Sequence, residues 1–166
     1  MKKLFIFVIC LLVTFSTFGQ KIKKAESAYK NGDYVLAIDE YTLLAEQTED
    51  PHLRAQYKFY IADSYRKMNR PDRAERPYID AIKGGYMSDD IYRLLGEIQL
   101  KLGKYDDALS SFESQKRANP SDPLADIGIE SCKYAKENEQ VNPFFDPKPL
   151  SNRVNSGKNE FGVSYY

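Results

Sequence analysis

The stretch Leu102-Gly103-Lys104-Tyr105-Asp106-Asp107-Ala108-Leu109 decides the fold, because the chain carries it in three versions. The others are Asn31-Gly32-Asp33-Tyr34-Val35-Leu36-Ala37-Ile38 and Asn69-Arg70-Pro71-Asp72-Arg73-Ala74. Superposed, they set Ala37, Ala74 and Ala108 at spacings of 37 and 34 residues, and each alanine is followed four residues later by an aromatic: Tyr41, Tyr78 or Phe112. A small residue, then an aromatic one helical turn on, repeated at about 34 residues, predicts stacked helix pairs. The small residues Ala25/Ala37, Ala62/Ala74 and Gly96/Ala108 are the expected contact points of antiparallel partners, and the aromatics fill the gap towards the next copy. Gly32 and Gly103 suit a positive φ at the end of each first helix, and Asn69 can take that role in the middle copy. Asp50-Pro51 and Asp122-Pro123 read as N-caps followed by proline at the first helical position. Pro77 falls inside a second helix, where it should kink the helix or cost about 3 kcal/mol if the helix stays straight.

Working outward, the chain has 166 residues, with 24 Lys+Arg against 24 Asp+Glu, one His and two Cys. Zero net charge supplies no global basic field, which argues against a nucleic-acid partner. The N-terminus reads as a secretory signal peptide over residues 1–19. Lys2 and Lys3 precede an apolar run at 4–15, too short to span a bilayer, and Ser16-Thr17-Phe18-Gly19 offers small residues for a cut after Gly19. An uncut anchor is the alternative. Cys10 lies within the apolar run behind bulky Ile9, which suits hydrophobic filler better than a lipidation site. Removal of the leader takes away two lysines and leaves 147 residues with a net charge of −2. Cys132 is then the one remaining cysteine, either a small buried hydrophobe or a reactive or bridging thiol, and the core must hold the fold.

With Tyr92-x-x-Leu95-Gly96, Ala108-x-x-x-Phe112 and Pro120 in the third copy, residues 21–120 resemble three tetratricopeptide repeats. Gln99 departs from the pattern, since an aromatic is usual there, and Gly84-Gly85 stands where the second copy would end in proline. The resemblance implies an all-α solenoid of about three helix pairs. Residues 123–138, with Leu124, Ile127, Ile129, Cys132, Tyr134 and Ala135 as apolar members, then form a capping helix with a polar outer side. The expected organisation is a repeat domain with its cap over 20–140, a proline-rich linker over 141–150 and an extended tail over 151–166. Ser131-Cys132, the proline-rich link, and Val154-Asn155-Ser156 followed by Glu160-Phe161-Gly162 also resemble the N-terminal part of certain bacterial cell-envelope proteins. In that family the repeats precede a β-propeller and an OmpA-like peptidoglycan-binding domain, and members are associated with the outer membrane and type IX secretion or gliding machinery. The resemblance implies a periplasmic or outer-membrane-associated scaffold, here a fragment or truncated relative in which the tail starts a propeller. Peptidoglycan binding would require the further domain. A free-standing periplasmic adaptor is the other reading.

The same resemblance puts a binding groove on the first helices, at Tyr29, Lys30, Phe59, Asp63, Arg66, Lys67, Arg93, Glu97, Leu100 and Lys101. Lys30, Lys67 and Lys101 fall at one position of the three copies. With Arg66 and Arg93 they could hold an acidic peptide segment, with Phe59 as an apolar anchor, or they could simply be solvated. Catalysis is not expected, and neither is a cofactor, a metal or a membrane span after leader removal. The chain has no glycine-rich phosphate loop, no Cys-x-x-Cys pair and no His-Glu-x-x-His motif. His52 reads as a surface residue at a helix start, and Asp89-Asp90 and Asp106-Asp107 as helix-start carboxylates.

Overall fold

The computed structural model describes residues 19–138, all helix and short turns. The expected leader apart from Gly19, the linker and the extended tail lie outside the described residues. Helix α1 covers 19–30. It is followed by α2 (Tyr34–Gln47), α3 (Pro51–Lys67), α4 (Pro71–Lys83), α5 (Ile91–Lys101), α6 (Tyr105–Ala118) and α7 (Pro123–Glu137). None of these is long and apolar enough to cross a membrane.

The repeat is written most plainly in the turns. The first helix of each pair ends in a residue of positive φ: Gly32 at 80°, Asn69 at 54° and Gly103 at 71°. Behind each, the backbone N–H of Asp33, Arg70 or Lys104 donates across the turn to the carbonyl of Ala28, Tyr65 or Gln99, 2.9 Å in every case. These are three Schellman-type closures in one register. Helix starts are handled individually. Asp33 accepts from Leu36 N at 3.2 Å, Asp50 from His52 N at 2.8 Å, and Asp122 from Leu124 N at 3.0 Å. Asp90 stands at the start of α5, as expected of a helix-start carboxylate, and its carboxylate takes Ser88 and Arg93 instead of a backbone N–H. Helix α4 continues across Pro77 without a break in the helical assignment.

Among the described residues, three apolar clusters run along the solenoid, and each joins one helix pair to the next first helix. Ala25, Ala37, Tyr41 and Leu44 meet Tyr57 and Ile61 of α3. Ala62, Ala74 and Tyr78 meet Ile91, Leu95 and Ile98 of α5. Ala108 and Phe112 meet Cys132 of α7. The expected contact alanines are fully buried, as are Tyr41, Tyr78 and Phe112. Gln99 is also buried, and its Oε1 accepts from Ser111 Oγ at 2.6 Å, so a polar pair occupies the place where an aromatic is usual. Burial resolves Cys132 as a small hydrophobe and pushes its thiol pKa up.

The expectation for α7 requires correction. Ala125, Gly128 and Cys132 make its buried face, whereas Leu124, Ile127 and Tyr134 are 49%, 58% and 69% exposed. Hydrophobic periodicity took both faces for one. The face that packs is the one with small residues, because the Phe112 ring lies where a Cβ on Gly128 would be, at 2.4 Å.

Candidate functional site

The expected groove lies on the first helices of the pairs, and two of these, α1 and α3, are joined by side chains. Asp63 of α3 is 3% exposed and is the acceptor at the centre. The Tyr29 hydroxyl of α1 donates to its Oδ2, while Tyr78 of α4 donates to Oδ1 at 3.0 Å and Arg66 Nε donates to the same oxygen at 2.7 Å. Burial pushes the Asp63 pKa up, but the hydrogen bonds from Tyr29 and Arg66 and the guanidinium charge outweigh it and hold the carboxyl below its usual range. The Tyr29 and Tyr78 pKa values are raised, first by burial and then by the neighbouring carboxylate. Lys67 completes the group, with its Nζ 3.9 Å from Asp63 Oδ2 and 5.9 Å from the centre of the Tyr29 ring.

A second charged group lies on α5. Arg93 Nη2 is 2.9 Å from Asp90, Nη1 bonds Glu97, and Nε is 3.8 Å from Asp122 at the start of α7. Leu100, half-buried, packs against the third apolar cluster.

The expected groove residues therefore divide. Arg66 and Arg93 are held by intramolecular carboxylates, so they are weaker anion receptors than their charge suggests. Phe59 is half-buried against Tyr60, Tyr78 and Tyr86, at ring-centre distances of 5.6, 5.9 and 4.7 Å, and is part of the packing. Lys30 and Lys101 are exposed and make no hydrogen bond or ion pair among the described residues. Lys67 is exposed at the edge of the Asp63 group. Tyr78 was not foreseen as part of the site. Its clue is that Asp63 stands between core positions Ala62 and Ser64, where a charge requires donors from other helices.

Among the described residues, no group of three or more His, Cys, Asp or Glu side chains is placed to hold a metal ion. His52 is exposed at the start of α3.

A family model described as tetratricopeptide repeat matches residues 61–123. Among curated proteins no match was found. Solved structures resemble the chain throughout the helical region. The Arabidopsis OM64 TPR domain is 18% identical with a TM-score of 0.61, covering 72% of this chain and 96% of its own. The second TPR domain of human RPAP3, in complex with the HSP70 peptide SGPTIEEVD, is 22% identical with a TM-score of 0.60, covering 68% and 92%. The first TPR of Spaghetti (RPAP3), bound to the HSP90 peptide SRMEEVD, is 21% identical with a TM-score of 0.62, covering 72% and 93%. The fold is a tetratricopeptide-repeat solenoid.

Proposed function

We propose that the chain is a non-enzymatic scaffold of the bacterial cell envelope whose inner face holds an acidic segment of a partner protein. The observation that carries this reading is the difference among its cations. Lys30, Lys67 and Lys101 keep one register and stay exposed; Lys30 and Lys101 make no ion pair among the described residues and Lys67 only a loose one with Asp63, while the two arginines are tied closely to internal carboxylates. A row of exposed ammonium groups suits carboxylates presented along an extended chain better than one planar bidentate site. The peptides held by the two RPAP3 structures both end in Glu-Glu-Val-Asp, which supports an acidic ligand for this face too. Export rests on the N-terminal leader pattern. Association with an outer-membrane OmpA-like assembly of type IX secretion or gliding systems rests on the resemblance of Ser131-Cys132 and the residues that follow.

The test is affinity capture from envelope extracts with the wild type and with a Lys30→Glu, Lys101→Glu variant. Arg66 and Lys67 are left in place, because their reversal would disturb the Asp63 group. The wild type should recover a partner in a salt-sensitive manner and the variant should not. Equal recovery would overturn the reading. N-terminal sequencing of periplasmic protein should begin at Gln20, and a cytoplasmic chain that keeps Met1 would contradict export.

A further inference from the structure

We infer that the chain carries a second docking surface, in the cleft between α4 and α6, which receives one large apolar side chain of a protein partner with an Asp or Glu beside it. The cleft is lined by other residues than the expected groove, and the inference does not rest on the reading of that groove.

Size and lining come first. Helix α5 packs against both α4 and α6, and above it the two second helices leave a cavity of about 210 Å³. Tyr92 and Leu95 of α5 form its floor, and Ile79 and Ile82 of α4 form one wall. All four belong to the second apolar cluster or pack against it, and Ile79, Ile82 and Tyr92 are only half-buried. Small-molecule sites usually enclose about 300–1,000 Å³, so this volume suits a single side chain inserted from the surface of another protein.

The facing wall favours an apolar visitor. It consists of Ser110, Ser111 and Ser114 of α6, and each hydroxyl proton is spent within the chain. Ser110 donates to Asp106 O at 3.0 Å, Ser111 to Gln99 Oε1 at 2.6 Å and Ser114 to Ser110 O at 2.8 Å. No hydroxyl donor is left to be stripped of water, so an apolar group can lie against this wall at little cost. The feature is particular to this cleft. Ser110 and Ser114 stand 34 residues after Arg76 and Asp80 of α4, and equal steps along a solenoid place residues on one face of successive repeats. At that earlier place Arg76 and Asp80 form an ion pair at 3.0 Å, which an apolar group would have to desolvate.

Charge decides what stands beside the inserted group. No Asp or Glu lines the cavity. Lys83, in the last turn of α4, does line it, is exposed, and makes no hydrogen bond or ion pair among the described residues. Arg117, in the last turn of α6, is exposed and donates to Ser114 Oγ at 2.9 Å, with no carboxylate partner among the described residues. Two cations without a counter-charge, one from each helix, are matched by a carboxylate next to the apolar side chain.

The test selects random octapeptide loops, closed by a disulfide and displayed on phage, against the whole chain carrying Lys30→Glu and Lys101→Glu. That bait lacks the exposed groove lysines, so the outcome is independent of the groove reading. Enriched loops should place Phe, Tyr, Trp or Leu next to Asp or Glu. Synthetic loops should bind the bait and the wild type alike. They should bind a Ser110→Trp variant, whose indole fills the cleft, and a Lys83→Glu variant about tenfold more weakly or worse. Ser110 and Lys83 are exposed, so both variants should melt with the wild type. No enrichment, or full affinity for either variant, would overturn the proposal while leaving the groove reading standing. A wild-type dimer in sedimentation that Ser110→Trp abolishes would assign the cleft to a second copy and overturn it as well.

Discussion

Asp63 is an acid on the core side of a helix, where an unpaired carboxylate would cost several kcal/mol. Tyr29, Tyr78 and Arg66 supply the donors that make it stable, and each hydrogen bond to a charged group is worth about 1.5–3 kcal/mol. Replacement of Tyr78 by Phe is expected to lower stability by about that amount in urea unfolding. The pH dependence follows from the sign of the shifts. The folded-state pKa of Asp63 lies below its unfolded value, so its contribution is complete above about pH 4 and disappears as pH falls through the folded value. Tyr29 and Tyr78 are shifted upward, so their contribution holds below about pH 10 and weakens as pH rises beyond it. An Asp63→Asn variant should flatten the acid limb of the stability profile, and an unchanged acid limb would contradict the assignment. Residue spacing puts Asp63 among the expected groove residues with Arg66 one turn on, but is silent on the two tyrosine donors, which come from 34 and 15 residues away on other helices.

Helix packing at the end of the array turns on Phe112, whose ring lies against Gly96 of α5 and Gly128 of α7. A Cβ added at Gly96 would meet the ring at 3.0 Å, while one at Gly128 would meet it at 2.4 Å and lie 2.6 Å from Cγ, the ring atom nearest the backbone. Phe112 is fully buried, so the ring has nowhere to move. Alanine in place of helical glycine gains about 1 kcal/mol in propensity, and overpacking costs about 1–3 kcal/mol. The two effects nearly cancel at Gly96, and the clash wins at Gly128. Thermal denaturation should therefore show Gly128→Ala clearly destabilised and Gly96→Ala close to wild type; a Gly128→Ala protein as stable as the wild type would refute this packing. The Gly96 contact is readable from the alanine and glycine pairs. Gly128 is harder to see, because Leu124 and Ile127 offer a stronger apolar period on a face that does not pack.

Across the whole molecule, the solenoid is legible because its turns, contact alanines and aromatics all obey one spacing, and local chemistry enforces it three times over. The leader and the tail carry sequence signals of a different kind and lie outside the described residues. The inner face is only half legible. A repeat period aligns Lys30, Lys67 and Lys101, but it cannot distinguish a cation left in solvent, as Lys30 and Lys101 are, from one drawn onto a carboxylate, as Arg66, Arg93 and more loosely Lys67 are. The account stands on that distinction, and photo-crosslinking in living cells tests it most directly, with a photoreactive residue at Lys30 or Lys101 compared with one at Val35 or Leu43, both exposed on α2. The account predicts an adduct with the same partner protein from both inner-face positions and none from α2. Adducts from α2 with a silent inner face would contradict it.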